Sequence, residues 1–388
     1  MHIGVFVNLF FYMNFGGLLR IPEHFIYFFL LVILYSFYLI NKKAIVLSKT
    51  LFIWVIFNFF VNSIYLVEAG FSNDVYKYFP IIITNIILFL SFSLLSNLDN
   101  NKLSVARNGI AIGTIMGVIL LIIDFMAPGS FATSSTSVSG RAIAMYANAN
   151  FGAVVLILGM ILTIDIINKN LRFYYVLIIF IGVLVTFSRS GMMVFILISG
   201  IMAYQNKISR KTFLGMMLSM ISLLTFLLVG GFDLIANTFD LVITDNLISR
   251  VSFFADSENT EVGDMNERKV VLLAALDMYA DNPFFGAGFA ATRLWDYSVS
   301  PHNTFAVTLA EYGLVGLLIV PSFLYLTTYQ LFRTPIKEYR DMGILFIVYY
   351  ASFCMFTHGM LTYSVNMVAA VFLVTLESKS RHQEVSNL

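Results

Sequence analysis

The chain has 388 residues, of which 59% are apolar and only 12% are charged. A water-soluble globular protein of this length needs far more polar surface, so the composition excludes that class. The formal net charge of +1 is uninformative, and we expect no nucleic-acid partner. The single cysteine, Cys354, excludes a disulfide within the chain.

Apolar segments long enough to cross about 30 Å of hydrocarbon recur from one end of the sequence to the other. We expect helices, because a helix satisfies its own backbone hydrogen bonds in lipid and the alternating pattern of barrel strands is missing. The sequence therefore predicts an all-α integral membrane protein, a polytopic bundle of about 12 transmembrane helices in a single domain, 1–388. The predicted spans are 4–18, 24–40, 50–67, 79–96, 108–126, 150–167, 171–187, 191–205, 213–230, 314–332, 341–357 and 360–377.

Lysine and arginine residues sort the connecting loops into two sets. Most of the 23 lie in alternate loops and in the C-terminal tail, which the positive-inside rule places in the cytoplasm together with both termini. One large loop, 231–303, joins the ninth and tenth spans and faces the opposite side of the membrane. We find no inverted repeat of the kind that many secondary transporters contain.

Eight basic residues fall on the outer side, where the positive-inside rule disfavours them. Two interpretations are open: guanidinium groups that bind an anionic substrate through paired hydrogen bonds, or ordinary loop residues that are solvated or paired with carboxylates. Arg189 is the most constrained, because the connection 188–191 between two adjacent spans is too short to leave the mouth of the bundle. The eight are Arg20, Lys77, Arg141, Arg189, Arg250, Arg268, Lys269 and Arg293.

A helix is predicted inside the large loop. Asp264 and Glu267 have the spacing of a capping box, and Pro283 ends the helix. We expect this helix to lie along the membrane surface with its apolar side down, which leaves Arg268 in the first turn. The segment 284–288, FFGAG, predicts a tight turn with an exposed backbone. The apolar side of the helix consists of Val271, Ala274, Ala275 and Met278.

The large loop meets the tenth span in the segment 301–316, which has the sequence PHNTFAVTLAEYGLVG. Histidine side chains titrate near neutrality, so His302 is a candidate to accept a proton from a hydroxyl group, although a histidine at this boundary also occurs as a plain helix cap. Asn303 to Phe332 is too long for one unbroken crossing. We therefore expect a short helical segment, 303–312, that breaks at Gly313.

Three ionisable residues, Asp124, Glu311 and His358, lie near the outer boundary of the predicted spans. Each needs a partner or an inward-facing position, because an ionisable side chain is costly in lipid. No set of His, Cys or carboxylate residues has the spacing of metal ligands. The sequence therefore predicts neither a metal site nor a cofactor.

Several short motifs occur together in a recognisable order. They are NANFGA entering one span, TFSRSG between two spans, DNPFFGAG, and then PHNTFAVTLAEYGLVG entering a late span. Together they resemble the O-antigen polymerase and O-antigen ligase superfamily, over about residues 141–330. The first 130 residues and the last 55 match only as hydrophobic helices.

The resemblance implies a metal-independent glycosyltransferase at the periplasmic face of the bacterial inner membrane, acting in lipopolysaccharide biosynthesis. Its implied substrate is an oligosaccharide linked to undecaprenyl diphosphate, and its implied partners are membrane lipid, a chain-length regulator and a flippase. The high Phe content, low charge and large outer loop favour a polymerase of repeat units. The alternatives are a ligase that transfers the polymer to the lipid A core and, in a different class, a transporter of lipid-linked sugars.

The resemblance also implies roles for single residues. Arg189 and Arg268 would hold the diphosphate, and His302 would orient or deprotonate the acceptor hydroxyl. The choice between Arg250 and Arg268 stays open, because 270–272 lack the aromatic residue that usually follows the family's loop arginine. The residues expected to bind substrate are Arg141, Arg250, Asn150, Asn303 and Glu311.

Overall fold

The computed structural model contains only helices and turns in the residues that it describes, which confirms the predicted all-α class. The first two predicted spans lie outside these residues except for positions 32 and 36, and so does Arg250. The described residues are 32, 36, 48–68, 79–98, 100–127, 131, 141–144, 146, 148–226, 229, 231, 263–297, 300–329, 331–334 and 336–387.

The helix bounds follow the apolar segments, with differences at their polar ends. The predicted span 79–96 coincides with a helix, whereas the helix at 108–126 begins eight residues earlier, at Asn100. The helices are α1 (Lys49–Glu68), α2 (Phe79–Ser96), α3 (Asn100–Met126), α4 (Ala149–Thr163), α5 (Arg172–Val185), α6 (Arg189–Tyr204), α7 (Arg210–Phe226), α8 (Gly263–Asp281), α9 (Ala291–Leu294), α10 (Thr304–Thr328), α11 (Lys337–Cys354) and α12 (Ser364–Asn387), with a 3-10 turn at Leu331–Arg333.

The described residues fall into two compact units. The first contains residues 104–262, and helix α4 is its centre. A helix that is apolar on every side is stable only when it is surrounded, and every residue of α4 except Asn150 is buried. Helices α5 and α6 pack against it, and α7 packs against α6.

The second unit contains residues 24–103 and 263–388. Its centre is the first half of α12, in which every residue from Ser364 to Leu376 is buried. Helix α12 packs against α2 and α10, and α10 also contacts α1, α8 and α11. Helix α10 therefore connects the unit's core to the residues of the large loop.

Two of the described helices are long and apolar enough to cross a membrane, Leu103–Met126 and Thr304–Arg333. The first also has an exposed apolar stripe with helical spacing, formed by Ile112, Met116, Ile119 and Ile123. Such a stripe is unfavourable in water and fits a lipid surround. Other apolar helices are shorter, so the predicted bundle of twelve spans stays a prediction.

Helix α10 is broken at Gly313, as predicted. The residue has non-helical angles, φ 59° and ψ −140°, so that 304–312 and 314–328 are separate helical segments. A residue with positive φ is a position for glycine, because a Cβ atom collides with the backbone there. Although Thr304–Arg333 is long enough to span a membrane, its uninterrupted helical part thus begins at Leu314.

The FFGAG turn is clamped onto this break by backbone hydrogen bonds. Ala287 N donates to Ala310 O at 2.8 Å, Gly288 N to Glu311 O at 3.2 Å, and Leu314 N to Pro283 O at 2.9 Å. The prediction of an exposed backbone in this turn is therefore wrong. The N–H groups of Ala287 and Gly288 donate to carbonyl groups that the break in α10 leaves without helical partners. These N–H groups are therefore not available to bind a phosphate ligand.

Helix α8 ends at Asp281, two residues before Pro283, as predicted, but two other expectations for it are wrong. It begins at Gly263, so Asp264 lies inside the helix and Arg268 lies in its second turn. Its predicted apolar side does not face a membrane. Val271 and Ala275 are buried, and Ala275 packs against α10 with Leu272 and Met278 beside it.

Charged residues at the predicted cytoplasmic end of the first unit hold two loops together. Lys207 Nζ and Asp165 Oδ1 form a buried ion pair at 2.7 Å. Arg172 donates to the carbonyl oxygens of Asp165, Ile167 and Lys207 at 3.0 to 3.1 Å. Because each donor has an acceptor, these buried charges are compensated.

We expect Gly313→Ala and Gly286→Ala to destabilise the protein. Both glycines have positive φ, and a Cβ on either would lie 2.5 to 2.6 Å from backbone atoms of the opposite segment. The left-handed backbone alone costs about 1–2 kcal/mol for a residue with a Cβ, and the collisions add to it. Thermal unfolding of the purified protein measures the loss.

The control is Gly215→Ala, at a position in α7 where a Cβ meets nothing within 4 Å. Alanine in a helix is more stable than glycine by roughly 0.5–1 kcal/mol, so this variant should unfold no earlier than the parent. Equal unfolding temperatures for Gly313→Ala and the parent would contradict the clamped break.

Candidate functional site

His302 lies beside a second histidine in the second unit. The ring centroids of His302 and His358 are 5.6 Å apart. Thr304 Oγ1 donates a hydrogen bond to the carbonyl oxygen of Thr357, which joins the start of α10 to the residue before His358. Asn303 rather than His302 caps α10, since its Oδ1 accepts from Ala306 N at 3.0 Å.

Two cavities meet at His358. The larger, about 400 Å³, is lined by aromatic and hydroxyl-bearing side chains. The smaller, about 70 Å³, runs toward the break of α10 and contains Glu311 and Tyr312 in its wall. Arg293 and His358 border both cavities. An arginine, a histidine and a carboxylate therefore share one polar recess within the second unit.

Glu311 is buried and hydrogen-bonded. Thr292 Oγ1 donates to its carboxylate at 2.6 Å, and backbone groups of Ala290 and Thr292 also reach it. Arg293 interacts with it electrostatically. The predicted need for a partner is thus confirmed, and the partners fix the turn that precedes α9.

A buried network of hydrogen bonds connects the break in α10 to helices α1 and α2. Tyr312 Oη donates to Asn62 Oδ1 at 2.7 Å, and Tyr65 Oη donates to Tyr312 O at 3.1 Å. Asn62 bonds in turn to Asn58 on α1, whose side chain donates to Asn85 on α2. Helices α1 and α2 are therefore linked to Tyr312 of α10, the residue that precedes Gly313.

Arg189 is the first residue of α6 in the first unit. Ser188 caps this helix, because its Oγ accepts from Gly191 N at 3.1 Å. Phe187, the residue before the cap, has φ 47°, a conformation that costs a bulky residue free energy and that surrounding contacts must hold in place. The connection from α5 to α6 is short, as predicted, so Arg189 has little freedom of position.

Arg141 and Asn150 form a hydrogen-bonded pair in the same unit. Arg141 Nη2 donates to Asn150 Oδ1 at 2.9 Å, and Arg141 Nε donates to the carbonyl oxygen of Thr186 at 2.9 Å. The segment before α4 is thereby attached to the connection that carries Arg189. These contacts give both residues a structural role, and substrate binding by them stays a prediction.

Asp124 holds the same segment from α3. Its Oδ2 accepts from the backbone nitrogens of Ile143 and Ala144, each at 2.7 Å. Ala144 has φ 50°, so the carboxylate supports an unusual backbone turn. The prediction that Asp124 has a partner is confirmed.

Comparison with known proteins identifies a region that contains Arg189, His302 and Glu311. Residues 174–320 match the O-antigen ligase family. The predicted resemblance to the O-antigen polymerase and ligase superfamily is confirmed. No curated protein matches the chain. The superfamily is one of membrane proteins, and its match supports a function of the O-antigen ligase or polymerase type.

The superfamily match contains six of the predicted site residues. They are Arg189, Arg250, Arg268, His302, Asn303 and Glu311. His302 and Asn303 directly precede α10 and Glu311 lies in its first half, whereas Arg268 lies on α8 of the same unit. Arg189, Arg141 and Asn150 belong to the other unit.

Two side chains at the recess were not selected as site residues from the sequence. Arg293 was one of eight outer basic residues without a distinguishing motif, and His358 was recognised only as an ionisable residue near a boundary. Asn58 and Asn62 offered a usable signal, since two amides one helical turn apart in an apolar segment predict an inward-facing polar pair. Their partner, Tyr312, lies 250 residues away from Asn62.

His358 is held in its neutral form at physiological pH. Burial, with smaller contributions from the charges of His302 and Arg293, lowers the pKa of His358 to about 4. Its Nδ1 is buried without a hydrogen-bond partner among the described residues. A neutral imidazole next to His302 is able to accept a hydrogen bond.

We expect the stability of the protein to fall below pH 6.5 because of His358. The folded pKa is about 4 against an ordinary value of 6.5, so the unfolded chain binds a proton in this window that the folded chain does not. The loss approaches about 3 kcal/mol by pH 4. Thermal midpoints of the parent and His358→Gln, measured from pH 8 to pH 5, test this.

The parent should lose more stability than His358→Gln between pH 6.5 and pH 5. Above pH 7 the two curves should run parallel, because the imidazole is neutral in both states there. Parallel curves over the whole range would contradict the neutral, buried histidine.

Proposed function

We propose that the protein polymerises oligosaccharide repeat units carried on undecaprenyl diphosphate, at the periplasmic face of the inner membrane. The observation that carries the proposal is the position of His302, inside the region that matches the superfamily, next to His358, which borders the polar recess. A second candidate is the ligase reaction, because the matching family is described as O-antigen ligase.

The two reactions share one chemical step. The acceptor hydroxyl oxygen forms a bond to the anomeric carbon of the donor sugar, while the bond from that carbon to the diphosphate breaks. The hydroxyl proton passes to His302, and the diphosphate leaves with the electron pair. Diphosphate is already a good leaving group, so the proposal requires no metal.

In this proposal, arginines bind the diphosphate. A guanidinium group stays charged at every physiological pH and donates paired hydrogen bonds to phosphate oxygens. Charge develops on the departing diphosphate, so fixed cations stabilise the transition state more than the bound donor. Arg189 and Arg268 are the residues to which we assign this role, with Arg250 as the alternative to Arg268.

The roles of Arg189 and His302 are tested by alanine variants in cells that depend on the gene. We expect Arg189→Ala and His302→Ala to leave the protein in the membrane while the surface polysaccharide shortens to single repeats. Loss of a base or of a charged donor lowers rates by at least about a hundredfold. Gel profiles of the surface glycan and immunoblots of membranes provide the measurement.

Lys269→Ala is the control, since it removes an exposed cation next to Arg268 on the same helix. Comparing it with Arg268→Ala and Arg250→Ala identifies the loop arginine that matters. Arg189→Lys should remain inactive, because an ammonium group does not reproduce the paired hydrogen bonds. Full-length polymer in both the Arg189→Ala and His302→Ala strains would overturn the assignment.

A deletion strain distinguishes polymerase from ligase. If the protein is a polymerase, the lipid A core should carry single repeats, because ligation continues without elongation. If it is a ligase, long polymer should accumulate on the lipid carrier. Elongation of lipid-linked repeats by the purified protein excludes a transporter, which would make no longer glycan.

A further inference from the structure

The larger cavity has an aromatic wall that the proposed chemistry does not use. Trp295, Tyr297 and Tyr363 line it, and the rings of Trp295 and Tyr297 meet edge to face with centroids 4.9 Å apart. Trp295 also packs on the alanine cluster between α8 and α10. That packing fixes the ring and makes it a stable surface for a ligand.

Polar residues form the rest of the lining of the larger cavity. Ser300 and Thr362 line the cavity together with Arg293 and His358. Their hydroxyl groups donate to the carbonyl oxygens of Thr292 and Gly359, so they offer a ligand acceptor lone pairs. The Nδ1 atom of His358 is buried without a partner among the described residues, and a buried nitrogen of this kind is stabilised by a hydrogen bond from a ligand. The cavity therefore offers the guanidinium donors of Arg293 and several acceptor atoms beside aromatic faces.

This composition selects among ligand classes. Among the described residues, the lining contains no Leu, Ile, Val, Met or Phe side chain, which disfavours a lipid chain. It contains one cation, Arg293, whereas phosphate sites usually combine several donors of positive charge. A sugar has an apolar C–H face and a rim of hydroxyl groups, which match aromatic rings beside hydroxyl oxygens and a guanidinium donor. A volume of about 400 Å³ lies within the range of roughly 300–1,000 Å³ for small-molecule sites.

We infer that this cavity, lined by Trp295, Tyr297, Ser300, Thr362 and Tyr363, is a binding subsite for the acceptor oligosaccharide. The inference rests on the proposed function for the identity of the ligand as a repeat unit. His358 borders the cavity and contacts His302, so a sugar held on the aromatic wall presents a hydroxyl group next to the proposed base. The aromatic residues position the acceptor, and the arginines bind the donor.

The intrinsic fluorescence of Trp295 can report ligand binding at this subsite. The chain contains two tryptophans, Trp54 and Trp295. Trp54 is 1% exposed inside the second unit, against Phe323. The substitution Trp54→Phe therefore leaves Trp295 as the single fluorescent tryptophan, and it keeps an aromatic ring at the buried site while leaving a small cavity. The experiment titrates this protein with the bacterium's own repeat oligosaccharide, released from its diphosphate carrier by mild acid.

We expect a saturable change in Trp295 fluorescence with the free oligosaccharide and no change with inorganic diphosphate. Tyr297→Ala, at a ring that is 43% exposed, should raise the dissociation constant about five- to tenfold, the usual contribution of one aromatic contact. Thr362→Val should raise it as well. The matched control is Tyr174→Ala, at an exposed tyrosine of the first unit outside the cavity, which should bind normally.

The outcomes separate the proposed acceptor subsite from the proposed polymerase function. His302→Ala should keep the fluorescence response while losing elongation, which separates binding from turnover. An unchanged Trp295 signal, an equal response to diphosphate alone, or unaltered binding by Tyr297→Ala and Thr362→Val would each overturn the subsite. If the parent elongates lipid-linked repeats without any such signal, the subsite fails and the function stands. If it binds the oligosaccharide but never elongates it, the proposed polymerase function fails.

Discussion

The second unit depends on one steric constraint, the contact between two glycines with positive φ at a break in a helix. Gly286 and Gly313 face each other so closely that neither position has room for a Cβ atom. Their approach allows the turn 283–288 to donate to, and accept from, the backbone groups that the break in α10 leaves unpaired. Without a break, α10 would have no free carbonyl groups for the turn to bind.

Several features of the recess follow from that contact. The turn leads directly into α9, so clamping it sets the position of Thr292 and Arg293 beside Glu311. The first half of α10 starts at the residues next to His302, and Thr304 attaches that start to Thr357. Backbone hydrogen bonds around the break therefore position these side chains more than their contacts with one another do. The side chains are those of His302, His358, Arg293 and Glu311.

The sequence predicted those helix ends and breaks that depend only on neighbouring residues. Gly313 marked the break, Pro283 marked the end of α8, and the length of 79–96 gave the bounds of α2. The apolar side of α8 was also recognised, but its partner was misassigned, because an apolar stripe fits a membrane surface and a neighbouring helix equally well. The FFGAG turn was misinterpreted for a similar reason: a glycine-rich turn has free donors only when no distant carbonyl group uses them.

The His302–His358 contact and the Asn62–Tyr312 bond were beyond the reach of sequence reasoning, since nothing in a single sequence pairs residues so far apart. The same separation has a consequence for how the chain assembles. The bonds between 283–288 and 310–314 close a loop of fewer than about 35 residues, and short loops close at low entropic cost. The bonds from Tyr65 and Asn62 to Tyr312 span 247 and 250 residues. We therefore expect the kinked segment to form early from its own neighbourhood, and α1, although synthesised far sooner, to dock against it only after most of the chain has been made.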